Sequence, residues 1–187
     1  MTTTATESTT AIWNIDASHS AIEFAARHMM ITTVKGRLAD VKGTLAIDER
    51  DPARSIVAVE IDTKSIDTRS EQRDQHLRSA DFLDVEQFPT ISFTSRRIDG
   101  ATAQPGAGFR VVGDLTIRGV SRAVTLDVTY EGRGRDPWGG ERVSFSADTK
   151  VDRREFGLVW NAALETGGVL VSNEIKIHIE LQAVRAV

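Results

Sequence analysis

Alternation of apolar and polar residues with a period of two dominates this chain and predicts β-strands. The clearest run places Phe109, Val111 and Leu115 on one face of a strand, with Arg110 and Asp114 on the other. Eight such runs follow one another along the sequence: Ile22–Ala26, Val41–Ile47, Val57–Ile61, Ile91–Phe93, Phe109–Ile117, Val124–Tyr130, Val143–Ala147 and Ile175–Leu181. Strands with one apolar and one polar face are typical of antiparallel sheets that cover a core on one side only.

Turn signals separate the runs, among them Asp99–Gly100, Gly119–Ser121 and Asp136–Gly140. Such Gly- and Asp-rich stretches favour tight connections between strands. Many spaced strands with few helices predict a sandwich or an up-and-down barrel. We favour an antiparallel barrel of eight or more strands, because closure removes the edge strands that a sandwich would leave exposed.

The segment Thr68–Ala80 breaks the strand pattern and predicts a short surface helix. Thr68 and Glu71 have the spacing of a capping box, which would start the helix. Only Leu77 is strongly apolar there, so we expect the segment to lie over the barrel as a cover, and it is our candidate for a lid. A second irregular stretch, Asp152–Gly168, contains Trp160.

Length and composition predict one domain without nucleic-acid or thiol chemistry. The chain has 187 residues, a net charge of −4 and no cysteine. It lacks the basic stripe of a nucleic-acid-binding protein, and it has no thiolate for a disulfide, a metal or a nucleophile. We expect residues 1–10, which are Thr-rich, to be a disordered tail and residues 11–187 to be a single barrel domain. The tail has no secretion signal, which predicts a cytoplasmic protein if the chain starts at its native methionine.

Motifs of catalysis are mostly missing, and we predict that the protein is not an enzyme. The segment Gly119–Ala123 resembles a nucleophile elbow in sequence, but both of its flanks are predicted strands, whereas an elbow joins a strand to a helix. An alternative is a lipid-modifying enzyme that uses His76 with Asp74 or Asp81. Another alternative is a haem or metal carrier built from His28 and His76, although their spacing has no ligand motif.

Large and small residues are mixed on the apolar faces of the strands. Phe24 and Phe93 are large, whereas Gly113 and Ala147 are small. A barrel filled by its own side chains shows this mixture, and so does a barrel that encloses one apolar ligand. The pattern leaves both possibilities open.

Six stretches of the sequence, in order, resemble the YceI-like family of lipocalin-like polyisoprenoid-binding proteins. They are WNIDASHSAIEFAARH, VKGRL, IDTRSEQRDQHLRSADFLDVEQFPTISFTS, GDLTIRGVSRAVTL, DPWGGERVSFSA and RREFGLVWN. The resemblance implies an all-β fold: an extended antiparallel eight-stranded lipocalin-like barrel with one or two short helices. It implies a long apolar cavity that binds an isoprenoid, a quinone, a polyprenyl phosphate or a related lipid for transport or storage. It also implies a possible homodimer and no catalysis, and we predict neither a cofactor nor a metal site.

Ten inward apolar positions are our candidates for lipid contact, each of which could also be ordinary core: Phe24, Ile91, Phe93, Val111, Leu115, Ile117, Leu126, Val143, Phe145 and Trp160. Arg73, His76 and Arg118 are candidates for the polar head of the ligand. Arg118 alternates onto the outward face, so it could reach a head group only from the end of its strand.

Overall fold

The computed structural model describes residues 10–186 of the protein. Within them the chain forms eleven strands: β1 (Thr10–Ile15), β2 (Ala21–His28), β3 (Thr32–Leu38), β4 (Val41–Asp48), β5 (Ile56–Asp62), β6 (Ile66–Asp67), β7 (Thr90–Asp99), β8 (Gly108–Ile117), β9 (Val120–Arg135), β10 (Glu141–Asp152) and β11 (Glu174–Arg185). It also forms the helix α1 (Glu71–Arg78) and the 3-10 turns Ala17–His19, Pro52–Arg54, Thr63–Ser65 and Arg153–Phe156.

Eight antiparallel strands close into a barrel, which confirms the predicted fold class. The ring runs β1, β4, β5, β7, β8, β9, β10 and β11, and β11 pairs back onto β1. Trp13 of β1 joins the two ends of the ring, since it pairs with Leu45 of β4 on one side and with Arg185 of β11 on the other. The apolar faces of the strands point into this ring.

The ring does not consist of the eight predicted runs. Each run lies within a strand, but β2 pairs with β11 beside β1 and continues into β3 and β6 as an extension of the sheet. The sequence pattern does not predict β1, and β1 rather than β2 completes the ring. Period-two contrast is weak in β1 because Ile12, on its outer face, is apolar and 44% exposed. The predicted tail lies outside the described residues except for Thr10, which already belongs to β1.

The helix lies where the sequence predicts one, but the predicted capping box is wrong. Ser70 is the N-cap and makes no side-chain cap bond. Thr68 instead donates from its backbone N and its Oγ1 to Asp74 Oδ1, at 2.9 and 2.5 Å. Asp74 is only 4% exposed, and a buried carboxylate needs such donors, so Thr68 pairs with it rather than with the helix backbone.

Arg153 organises the irregular stretch after β10. The buried guanidinium donates to the carbonyl oxygens of Leu158, Trp160 and Ser172, at 2.6, 2.8 and 2.9 Å. These bonds fasten the loop to the barrel without regular secondary structure. No helix within residues 10–186 has the length and apolar character to span a membrane.

Candidate functional site

The barrel encloses a cavity of about 610 Å³. Its wall consists almost entirely of apolar side chains, from every strand of the ring and from β2. A volume of this size lies within the range of small-molecule sites, roughly 300–1,000 Å³. The interior is therefore not filled by its own side chains, which decides between the two possibilities that the sequence left open.

Nine of the ten predicted apolar positions line this cavity: Phe24, Ile91, Phe93, Val111, Leu115, Ile117, Leu126, Val143 and Phe145. Trp160 does not line it. Its ring packs against His76 and Phe82, with centroids 4.6 and 5.3 Å away. The irregular chain around Trp160 has no alternation, so its sequence could not indicate which way the side chain points.

The three polar candidates, Arg73, His76 and Arg118, also lie outside the cavity wall. Arg73 is exposed and donates to the carbonyl oxygen of Thr68, at 2.8 Å. The Nε2 atom of His76 lies 2.8 Å from a carboxylate oxygen of Asp81. These groups bond to the protein itself and do not border the cavity, and their role as head-group ligands stays a prediction.

Arg118 ties together the two segments that cover one end of the barrel. Its guanidinium donates to the carbonyl oxygens of Phe82 and Gly157, at 3.1 and 3.4 Å. The cover contributes Leu77, Phe82, Leu83, Phe156 and Leu158 to the cavity wall. All except Leu77 are buried, so this end, which includes the predicted lid, is closed.

The opposite end of the cavity reaches solvent. The exposed residues of its wall all lie there: Glu49, Ile56, Thr102, Ala103 and Arg133. They come from the loops that follow β4 and β7, from the first residue of β5 and from the end of β9. We call this end the rim.

A network of four charged residues, the charged cap, lies at the rim. Arg133 donates to Glu49 and to Glu141, at 3.1 and 2.8 Å, and Arg185 bonds Glu141 at 2.8 Å. These two guanidinium groups hold the pKa of Glu141 down, from an ordinary 4.5 to about 2. Both also lie over the ring of Trp13, at 5.1 and 5.8 Å from its centroid. Trp13, Glu49 and Arg133 line the cavity.

The charged cap has no signal in local spacing because its members are far apart in the chain: Glu49 and Arg185 are 136 positions apart. The register gives the only signal. Arg133 pairs with Val143, and Arg185 pairs with Trp13, so both arginines fall on the inward face of their strands. An inward arginine at the end of a barrel strand requires partners, and the two glutamates supply them.

The two small inward residues differ in what surrounds them. Ala147 lines the cavity. A Cβ atom added to Gly113 would lie 2.5 Å from an atom of the Phe93 ring and 2.5 Å from the carbonyl oxygen of Thr94. Gly113 thus makes room for Phe93 and does not border open space.

No group of three or more His, Asp or Glu side chains within residues 10–186 is arranged to hold a metal ion. His28 ends β2, where its backbone forms a bridge with Val171, and His76 lies on α1.

A family model and a curated relative identify the family of this chain, and two solved structures share its fold. A sequence model of the YceI-like domain matches residues 13–183. A UPF0312 protein of Serratia proteamaculans is 38% identical over 168 residues, which cover 90% of this chain and 82% of that protein. The crystal structure of Burkholderia cenocepacia BcnA superposes with a TM-score of 0.76 at 22% identity, over 90% of this chain and 98% of that one. The structure of a polyisoprenoid binding domain from Saccharophagus degradans superposes with a TM-score of 0.69 at 14% identity, over 93% of this chain and 98% of that one.

Proposed function

The chain belongs to the YceI-like family, and from this premise we propose that it binds a long-chain isoprenoid or a related amphiphilic lipid, such as a quinone or polyprenyl phosphate, for transport or storage. The observation that carries the proposal is the apolar cavity of about 610 Å³ inside the barrel. One structural neighbour is described as a polyisoprenoid binding domain, which supports the class of ligand.

The size and chemistry of the cavity suit a hydrocarbon chain. At ~30 Å³ for a water-sized group, 610 Å³ corresponds to about 20 such groups. Each buried methylene contributes about 0.8 kcal/mol, so ten of them give roughly 8 kcal/mol before the costs of ordering the chain and immobilising the ligand. Affinity should therefore depend on chain length until the cavity is full.

Native mass spectrometry of the protein purified from its own host tests the proposal. We expect an additional mass in a stoichiometric amount, and solvent extraction should release a prenyl chain or a quinone. An empty protein that also fails to take up added prenyl lipids would overturn the proposal. Recovery of fatty acids alone, together with weaker uptake of prenyl lipids, would overturn the isoprenoid class.

The same extraction separates a carrier from an enzyme. A carrier returns the bound lipid unchanged, whereas a lipid-modifying enzyme returns a product of different mass. We expect an unchanged lipid after long incubation, both with the natural chain and with His76→Ala. A product that disappears with His76→Ala would favour the enzyme.

We extend the proposal to a cytoplasmic homodimer, as expected from the sequence and the resemblance. Light scattering of the purified protein measures its mass in solution, and cell fractionation locates it. A monomer, or a protein recovered outside the cytoplasm, would contradict these two predictions without affecting lipid binding.

A further inference from the structure

One buried hydrogen-bond donor in the cavity wall has no acceptor in the protein. Trp13 is only 1% exposed, and its Nε1 atom is buried and unpaired. The indole N–H can only donate, and buried donors in native proteins nearly always have a partner. Trp13 lines the cavity, but its Nε1 atom is shielded from the open space, so a molecule in the cavity could supply the missing acceptor once the side chains beside the indole move apart.

Trp13 lies near the open end of the cavity. It belongs to the cluster of apolar residues at that end, with Leu45, Val143 and Ala183, directly below the charged cap. The covered end is formed mainly by apolar residues such as Phe82 and Phe156, and the guanidinium of Arg153, which also lines it, already donates to three backbone carbonyl oxygens. A lipid with its apolar chain toward the covered end would therefore have its polar head near Trp13.

The charges around Trp13 favour an uncharged head. The charged cap contains two arginines and two glutamates, and its guanidinium groups already bond the carboxylates. Arg135 adds a cation 3.6 Å from Glu141 and Asp48 adds an acid in the cavity wall, so positive and negative charges balance at this end. Asp48, which is buried, and Glu49 of the charged cap are the acids that line the cavity at this end. A phosphate would have to displace a carboxylate from an arginine and approach these two acids.

We propose that Trp13 Nε1 donates a hydrogen bond to the head of the bound lipid, and that this head is an uncharged acceptor, such as the carbonyl oxygen of a quinone, an ester or an amide. The inference rests on the proposed function and deepens it, since it selects neutral lipids over polyprenyl phosphates.

The test compares three probes that carry the same saturated, branched chain of twenty carbons: phytanyl acetate, the hydrocarbon phytane and phytanyl diphosphate. We expect the intact protein to bind the acetate up to about tenfold more tightly than the hydrocarbon, as for one hydrogen bond. Trp13→Phe keeps an aromatic ring but removes the N–H, so it should bring this ratio close to one. Trp160→Phe, which removes an indole N–H outside the cavity wall, is the matched control and should leave the ratio unchanged.

Nuclear magnetic resonance of the natural chain gives a readout that needs no folded variant at position 13. The protein has three tryptophans, so a ¹⁵N-labelled sample gives three indole signals, and Trp138→Phe and Trp160→Phe identify the one from Trp13. The acetate should shift the Trp13 proton downfield, as expected when it gains a hydrogen bond, and the hydrocarbon should not.

The outcomes separate the two proposals. If no probe binds, the proposed function itself fails. If the probes bind but the Trp13 signal responds equally to acetate and hydrocarbon, lipid binding stands and the head site at Trp13 is refuted. If the diphosphate binds more tightly than the acetate, the neutral head is refuted.

Discussion

Replacing Ala147 with phenylalanine should shorten the longest chain that the cavity accepts. Ala147 lies on β10 between Val128 and Ile179 of the neighbouring strands, and it lines the cavity. A phenyl ring at this position would extend into empty space rather than into packed side chains. The same substitution at a filled core position would destabilise the protein by roughly 1–3 kcal/mol.

The expected loss of affinity follows from the displaced chain. A phenyl ring takes the space of about four methylene groups, on the ~30 Å³ scale of a water-sized group. At about 0.8 kcal/mol each, their loss amounts to about 3 kcal/mol, or roughly a hundredfold in affinity. The full loss applies only to chains that fill the cavity, which holds about 20 such groups. Shorter chains can avoid the ring and should lose little.

Isothermal titration calorimetry with prenyl alcohols of increasing length measures this effect. In the natural protein, affinity should rise with each unit and level off once the cavity is full. In Ala147→Phe the plateau should begin about one prenyl unit earlier. Ala123→Phe is the matched control, because Ala123 is exposed on β9 and does not line the cavity. Thermal unfolding should show that both variants remain folded.

The reasoning is refuted if Ala147→Phe leaves the plateau where it is, or lowers the affinity of short and long chains equally. A destabilisation of several kcal/mol would show that no open space borders this position. Gly113→Phe is unsuitable for the test, since the Phe93 ring already occupies the space beside that glycine.

Three further predictions concern the groups that hold the barrel ends. Because the pKa of Glu141 is lowered to about 2, its stabilisation is complete above its ordinary 4.5 and is lost as the pH falls toward 2. Glu141→Gln should therefore lower the free energy of unfolding at pH 7, and this free energy should then fall less steeply as the pH drops. Both are measured by urea titration at several pH values, and Glu165→Gln, at an exposed residue, should change neither. Asp74→Ala leaves two donors of Thr68 without their acceptor and should lower the free energy of unfolding by about 1–3 kcal/mol, as measured by chemical denaturation. Gln72→Ala, on the exposed face of α1, is the control and should change it little. Arg153→Lys keeps the charge but cannot donate to three carbonyl oxygens at once. Amide hydrogen exchange should therefore become faster in residues 158–172 and stay unchanged in β7. Equal exchange in the variant and the natural protein over residues 158–172 would contradict this role.

The barrel interior could be predicted from sequence because its signal is local. Alternation assigns a face to every residue of a strand, and nine of the ten proposed apolar positions line the cavity. The exception, Trp160, lies outside any strand. Whether the interior was filled or hollow could not be predicted, since the same mixture of large and small residues serves both. Gly113 and Ala147 look equivalent in sequence, yet only Ala147 borders open space.

The polar part of the site could not be predicted from local spacing. The helical turn with Arg73 and His76 groups acid, base and cation, which suggests a polar site, but these side chains bond the backbone or a neighbouring acid. The charged cap comes from the ends of three strands and one loop, and only the register of the closed sheet brings Arg133 and Arg185 together. Charged groups that meet at one end of a barrel can be identified only when the order and register of its strands are known.

Strand β1 connects the closure of the barrel with the proposed head site. It completes the ring between β4 and β11, and the residue at the centre of this junction, Trp13, also carries a buried donor without a partner. The cation–ring contacts from Arg133 and Arg185 hold the indole in place from above, while Leu45 and Ala183 pack around it. A donor fixed in this way loses little conformational freedom when it binds an acceptor, which strengthens its contribution to affinity. Deleting β1 would open the ring and remove the donor together, so only single side-chain changes at Trp13 can separate the role of the strand in folding from its role in binding.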